Sequence, residues 1–422
     1  MRKLMFLGGV AAALLATAGP AHAQRNALAS PLPSQAQLNR YNLTRAWWGN
    51  AVMNSTRDKL LYLTLDDEIL LAQSSSGIVT AFNSETGRKL WSAQLGSTDE
   101  GSLPATVNDD SFLIANGLDL YCLEKRNGEI RWRLRLPRLP TTRPTADDQT
   151  VYVGSIDGSM TAFDLRKIAQ LYGDNLLPQW SHYTLKWRFR TSAEITVPAI
   201  MSGKYVLFAS TNGSLYSVTN EERKLVFQFE TNAPVSAPLA RWRDTVLLAS
   251  EDSRLYALDV NTGAIRWQFV TGLRISDAPR VIENELYLTP NLGGIYRLNP
   301  ADGTQQWPGP QTRAVNFVGA NPVNVFATDK NGNLLVLSRE NGAVQGSIPM
   351  DRFNILLPND RNDRLYMGTT GGMIICMRER DREYPIYYKY PERQPLLPEF
   401  ASDNEEEGAA EMPEEGAPAE EQ

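Results

Sequence analysis

The side chains that could do chemistry are few in this 422-residue chain: two His, His22 and His182, and two Cys, Cys122 and Cys376. A His-rich zinc site, a haem attachment of the CxxCH type and a CxxC redox pair are all excluded by that count. His182 has no second His beside it and its neighbour Ser181 belongs to no nucleophile motif, so no nucleophile meets an orienting base. The carboxylates Asp66, Asp67 and Glu68 sit in LTLDDEILL, where they read as a solvated strand turn. No cofactor, no metal and no catalytic residue is expected, and the protein is read as not an enzyme.

What remains is chemistry of contact. Arg131, Arg133 and Arg135 alternate with Trp132 and Leu134, and Lys186, Arg188 and Arg190 repeat the pattern around Trp187 and Phe189. On neighbouring outer strands these six cations form one stripe, suited either to blocking edge-to-edge pairing or to docking an acidic partner, the chain's own C-terminus included. Between the two strands lies LRKIAQLYGDNLLPQWSHY (165–183), which opens with Ile168, Leu171 and Tyr172 at helical spacing and then presents Leu176, Leu177 and Trp180 in a loop. A long apolar loop on a regular scaffold is the best candidate for a partner site.

The scaffold is legible as a repeat. SEDSRLYALDVNTGAIRW (250–267) is echoed by SSSGIVTAFNSETGRKLW (74–91), PNLGGIYRLNPADGTQQW (290–307) and further copies. Each holds an apolar strand, a Gly turn, an alternating strand, an Asx-x-x-Gly turn and a strand carrying Trp. The Trp position falls at Trp91, Trp132, Trp187, Phe227, Trp267, Trp307 and Gly346, at intervals of 41, 55, 40, 40, 40 and 39. The one long interval contains the 165–183 insertion. A second register comes from Pro104, Pro144, Pro198, Pro238, Pro279, Pro322 and Pro358, each ahead of its unit's second strand.

A period near 40 with four short strands is a β-propeller blade. The expected fold is all-β, an eight-bladed β-propeller of four-stranded antiparallel blades, with seven blades as the alternative. Ring closure is open between LTRAWWGNAV (43–52) and YPIYYKY (384–390). Within RLYALD, Tyr256 and Leu258 share one face while Leu255 and Ala257 share the other, both buried against neighbouring blades. Cys122 and Cys376 occupy the slot held elsewhere by Ala81, Ala162 and Ala257. They lie in separated blades and are expected as two buried thiols beyond disulfide reach.

ALDVNTGAIRW (257–267) and TAFNSETGRKLW (80–91) resemble the quinoprotein-type (PQQ-like) propeller repeat, approximately ALDxxTGxxxW, over about 350 residues. The resemblance implies one of two families. Quinoprotein alcohol dehydrogenases bind pyrroloquinoline quinone and calcium at the propeller axis, and resemble one another in vicinal cysteines that this chain lacks. Non-catalytic BamB-like propellers hold other proteins, and this type fits the length and blade count better, although no lipobox Cys is present. A PQQ-dependent dehydrogenase is the alternative.

The ends differ from the repeats. Residues 1–23, with Arg2, Lys3, an apolar run and Ala21-His22-Ala23, read as a signal peptide, and 24–42 as an N-terminal linker before a propeller spanning 43–391. Residues 392–422 read as a disordered acidic tail, with ten acidic and no basic residues from Glu399 onward. The net charge of −6 therefore resides in the tail, and residues 24–398 stand at about +2. These features predict an exported scaffold or binding protein of the periplasm or cell envelope. It would bind envelope proteins or peptides, with assistance to outer-membrane protein assembly as the role the resemblance implies. No nucleic-acid partner and no transmembrane segment is expected, and no oligomeric state follows.

Overall fold

The computed structural model describes residues 32–66 and 68–393. The stretch read as a signal peptide, the start of the linker stretch and the acidic tail from Gln394 onward lie outside the described residues. Eight antiparallel sheets follow one another along the chain as the blades of a propeller. Blade 5 shows the pattern: Ala240–Trp242, Thr245–Ala249, Arg254–Asp259 and Ile265–Val270 pair in sequence order. The fourth strand is the outer one, exposed on alternate residues. The turns after the first and third strands share one face of the ring, and the turns after the second and fourth share the other.

The period-two reading holds at the blade interfaces. Leu255 and Ala257 pack with Leu286 and Leu288 of blade 6, while Tyr256 and Leu258 pack with Leu207 and Ala209 of blade 4. The central positions of the middle strands of blade 5 are thus buried, which is why these strands run mostly apolar.

The repeated Trp and the repeated Gly explain each other. Trp267 donates its indole N–H to the carbonyl of Pro300, in the third-to-fourth-strand turn of the next blade, at 3.1 Å. In that turn Gly303, at φ 74°, lies against the indole. A Cβ there would stand 2.5 Å from Trp267 Cε3, so the position excludes any side chain both by conformation and by contact. The device recurs where Trp47 donates to Ser84 at 2.7 Å, Trp91 to Lys125 at 2.8 Å and Trp307 to Arg339 at 3.0 Å; Trp187 donates likewise to Asn220 at 2.7 Å, in a turn where Arg223 at φ 58° takes the glycine position. Each bond satisfies an indole donor that burial would otherwise orphan.

The N-terminus closes the ring. Leu43–Asn50 pairs antiparallel with Met373–Glu379, from Leu43 opposite Glu379 to Asn50 opposite Met373, and so supplies the outer strand of blade 8. Trp47 takes the repeat position there. Blade 7 has Gly346 at that position, and the ring of Tyr41 lies over it. The intervening helix α1 (Gln35–Asn39) is capped by Ser34 and buries Leu38 between blades 7 and 8. Residues 35–42 are therefore a structural clamp and not a spacer. The competing closure segment, 384–390, instead straps the inner loops of the first-turn face. The Tyr388 N–H donates to Arg361 O at 2.7 Å and its hydroxyl to Ala320 O at 3.1 Å.

Two local departures are instructive. Blade 6 keeps three regular strands, and its outer segment is reduced to bridges at Gln305 and Gln311, because Pro308 and Pro310 remove ladder donors. Among the prolines, those of blades 2 to 6 come just before the inner strand, whereas Pro322 and Pro358 follow theirs. Both Cys are free and buried, opposite Trp132 and Trp47 respectively. Burial pushes both thiols up, which leaves them unreactive.

Candidate partner-binding surface

The insertion of blade 3 begins where the other blades turn. Asp164 ends the strand Ser159–Asp164, and its carboxylate accepts from the backbone N–H of Arg166 at 3.0 Å and of Lys167 at 3.1 Å. This cap starts helix α2 (Leu165–Gly173). Ile168 is fully buried on the inner side of α2, in one cluster with Trp132 and Leu134 of blade 2. Leu171 is half-buried and Tyr172 exposed, so the predicted apolar stripe is anchored chiefly by Ile168.

Beyond α2 the candidate residues separate into two sets. Leu177 packs against the blade 2 cluster, so it anchors the loop and is not part of an exposed surface. Leu176 and Trp180 are exposed, at 39% and 41%. Trp180 lies in an aromatic group that the sequence did not single out. Its ring centroid is 5.4 Å from Tyr183 and 6.0 Å from His182, and the latter two are 4.3 Å apart. The short 3-10 helix Ser181–Thr184 brings them together, with Tyr183 at 55% exposure. Three rings held on a packed helix are a preorganised contact surface, with little side-chain entropy left to lose on binding.

The cationic stripe exists on the two outer strands, Ile130–Arg135 and Leu185–Arg190, but its members differ in freedom. Arg133 and Arg135 both reach the buried carboxylate of Asp119, at 2.7 and 3.1 Å, and Arg131 lies 3.5 Å from Glu124. On blade 3, Lys186 donates to Thr150 Oγ1 at 3.0 Å and approaches Glu221 at 3.8 Å. Arg188 and Arg190 are exposed and, among the described residues, carry no side-chain ion pair.

A third feature was missed from sequence. On the first-turn face a cleft of about 770 Å³ is lined by Asp66, Glu68, Asp109, Asp110, Asp147 and Asp148 on its inner side. Arg361 stands among these carboxylates, 3.8 Å from Asp66; the outer side carries Lys125, Arg126 and Arg131 with Glu124, and Tyr390 of the C-terminal strap also borders the cleft. Asp66 is not a solvated turn residue: it is 8% exposed and meets Lys125 Nζ at 2.7 Å. The signal was available, since LDDE (65–68), NDD (108–110) and ADD (146–148) occupy the same turn in blades 1, 2 and 3.

No helix among the described residues is long and apolar enough to cross a membrane. The model of the family described as outer membrane protein assembly factor BamB matches residues 75–219, 178–273 and 211–355, which overlap to run from 75 to 355. An uncharacterized protein of Rickettsia prowazekii is 26% identical over 121 residues, 27% of this chain, and the match spans only 29% of that relative's length. Among solved structures, BamB from Moraxella catarrhalis aligns with TM-score 0.60 at 15% identity, covering 81% of this chain and 98% of that one. The computationally designed protein Ika8 aligns with TM-score 0.62 at 12% identity, over 78% of this chain and 98% of the other. At such identities both likenesses speak to the fold alone.

Proposed function

Starting from the fact that the chain belongs to the family of the outer membrane protein assembly factor BamB, we propose that it is an exported, non-enzymatic scaffold of the cell envelope. Its partners would be envelope proteins or peptides, and assistance to outer-membrane protein assembly is the role that the family description supports. The observation that carries the reading is the insertion of blade 3. It breaks an otherwise regular repeat, is anchored by Ile168 and Leu177, and presents Leu176, Trp180 and Tyr183 to solvent. The cations Arg131, Arg133, Arg135, Lys186, Arg188 and Arg190 flank it and would steer acidic segments of a partner toward it.

The test is affinity capture from envelope fractions with the wild-type protein and a Leu176→Ala/Trp180→Ala variant of unchanged circular dichroism. Loss of a specific captured protein is the expected outcome. Identical capture by both would remove the insertion from the interface. Dye reduction on adding pyrroloquinoline quinone and calcium would overturn the non-enzymatic reading.

A further inference from the structure

The strap that ends the described chain delivers the acidic terminus to a place where charge decides where it goes. Tyr390 lies in the cleft described above. On the inner side Asp66, Glu68, Asp109, Asp110, Asp147 and Asp148 outweigh Arg361, and on the outer side Lys125, Arg126 and Arg131 outweigh Glu124. A segment with ten acidic and no basic residues from Glu399 to Gln422 is repelled from the inner side and drawn to the outer one. Arg131 is the first residue of the cationic stripe, so the outer side of the cleft continues directly onto Arg133 and Arg135 of blade 2.

The receiving surface holds more positive charge than it uses. Among the described residues, the six stripe cations pair with three carboxylates, Asp119, Glu124 and Glu221. Arg166 and Lys167 add two exposed charges on α2, which packs on that same outer strand of blade 2. Reach is ample, because the stretch from Arg393 to Glu399 can alone span about 20 Å. Tethering keeps the effective concentration of the segment in the millimolar range.

We propose that the acidic segment 399–422 docks in cis along the cationic belt formed by the outer strands of blades 2 and 3 and by α2. The segment shields the belt, and an acidic partner gains access by displacing it. The last consequence rests on the scaffold reading above, whereas the docking itself does not.

Zero-length carbodiimide cross-linking of the full mature chain, followed by peptide mass spectrometry, reads the docking with no partner present. Carboxylates of 399–422 are expected to join Lys167 and Lys186 at low salt and to lose those links at high salt. Additional amines introduced by Arg133→Lys and Arg188→Lys should be captured as well. Cross-links confined to lysines away from the belt, such as Lys204 and Lys330, or spread over all exposed lysines, overturn the proposal. As an independent readout, a fluorescent poly-glutamate probe should bind a variant with every acidic residue of 399–422 changed to its amide about tenfold more tightly than the wild type at low salt. Equal affinity would overturn it, and a lost scaffold interaction with intact cross-links would strike only the partner reading.

Discussion

Blades 5 and 3 leave their third strands in the same way and then diverge. Asp259 accepts from the N–H groups of Asn261 and Thr262 at 2.9 and 3.0 Å, and Asp164 accepts from Arg166 and Lys167 at nearly the same distances. Four residues after the Asx, blade 5 has Gly263, whose N–H returns to Asp259 O at 2.8 Å and whose positive φ sends the chain straight back. Blade 3 has Ile168 at that point. Ile resists the left-handed conformation that the turn needs, so the capped turn continues as a helix, and the Ile side chain fills the place where Gly elsewhere lies against the preceding blade's aromatic ring. Blade 4 makes the hairpin with Arg223 at φ 58°, its N–H returning to Thr219 O at 3.2 Å, so what separates the hairpin from the displayed surface is acceptance of positive φ, which β-branched Ile168 resists.

The sharpest way to break this comparison is to truncate a tryptophan on each side of it. Trp267→Ala removes a buried, hydrogen-bonded ring and should cost about 4 kcal/mol of stability in urea unfolding. Trp180→Ala should cost under about 0.5 kcal/mol. Comparable losses would mean that the insertion is part of the core. Next in size, Gly303→Val forces a β-branched residue into positive φ against Trp267 and should cost about 3 kcal/mol, seen as a lower denaturation midpoint. Ile168→Ala should cost about 2 kcal/mol. It should also speed hydrogen exchange in α2 ahead of the blades, because the helix loses its main anchor.

The smallest effect concerns the shared cap. The Arg266 guanidinium holds the Asp259 carboxyl below its usual range, reinforced by the turn N–H groups. A folded-state pKa below the unfolded one adds stability that is present at neutral pH and lost as pH falls through the folded value. The pair is partly exposed, so Asp259→Asn should destabilise by less than about 1 kcal/mol at pH 7. That difference should shrink as the carboxylate protonates in acid, and a constant difference would assign the effect to side-chain shape.

Strand period, blade interfaces and the Trp spacing were legible because a 40-residue register repeats the same physical demand many times over. The helical start of the insertion was legible from Ile168 and Leu171, but which apolar residues would stay exposed was not, since the packing of Leu177 depends on blade 2, distant in sequence. Ring closure was equally opaque. Both LTRAWWGNAV and YPIYYKY have strand-like residues, and only the partners available to Tyr41, Trp47 and Tyr388 distinguish a closing strand from a strap. The acidic cleft was legible only across blades: LDDE (65–68), NDD (108–110) and ADD (146–148) are ordinary turns taken singly and form one acidic wall once the repeat superimposes them.

The pairing of Leu43 with Glu379 has a kinetic meaning. A chain made or threaded from its N-terminus holds its locking strand from the outset but cannot use it until the last blade has emerged. Each earlier blade can form on its own local contacts, while closure waits on an encounter between the two extremes of the chain, the slowest kind of contact to make. During that wait the free edges of the first and last blades are exposed to mispairing with other chains. The same latch that keeps the finished ring from opening locally therefore sets the period in which the newborn protein most needs protection.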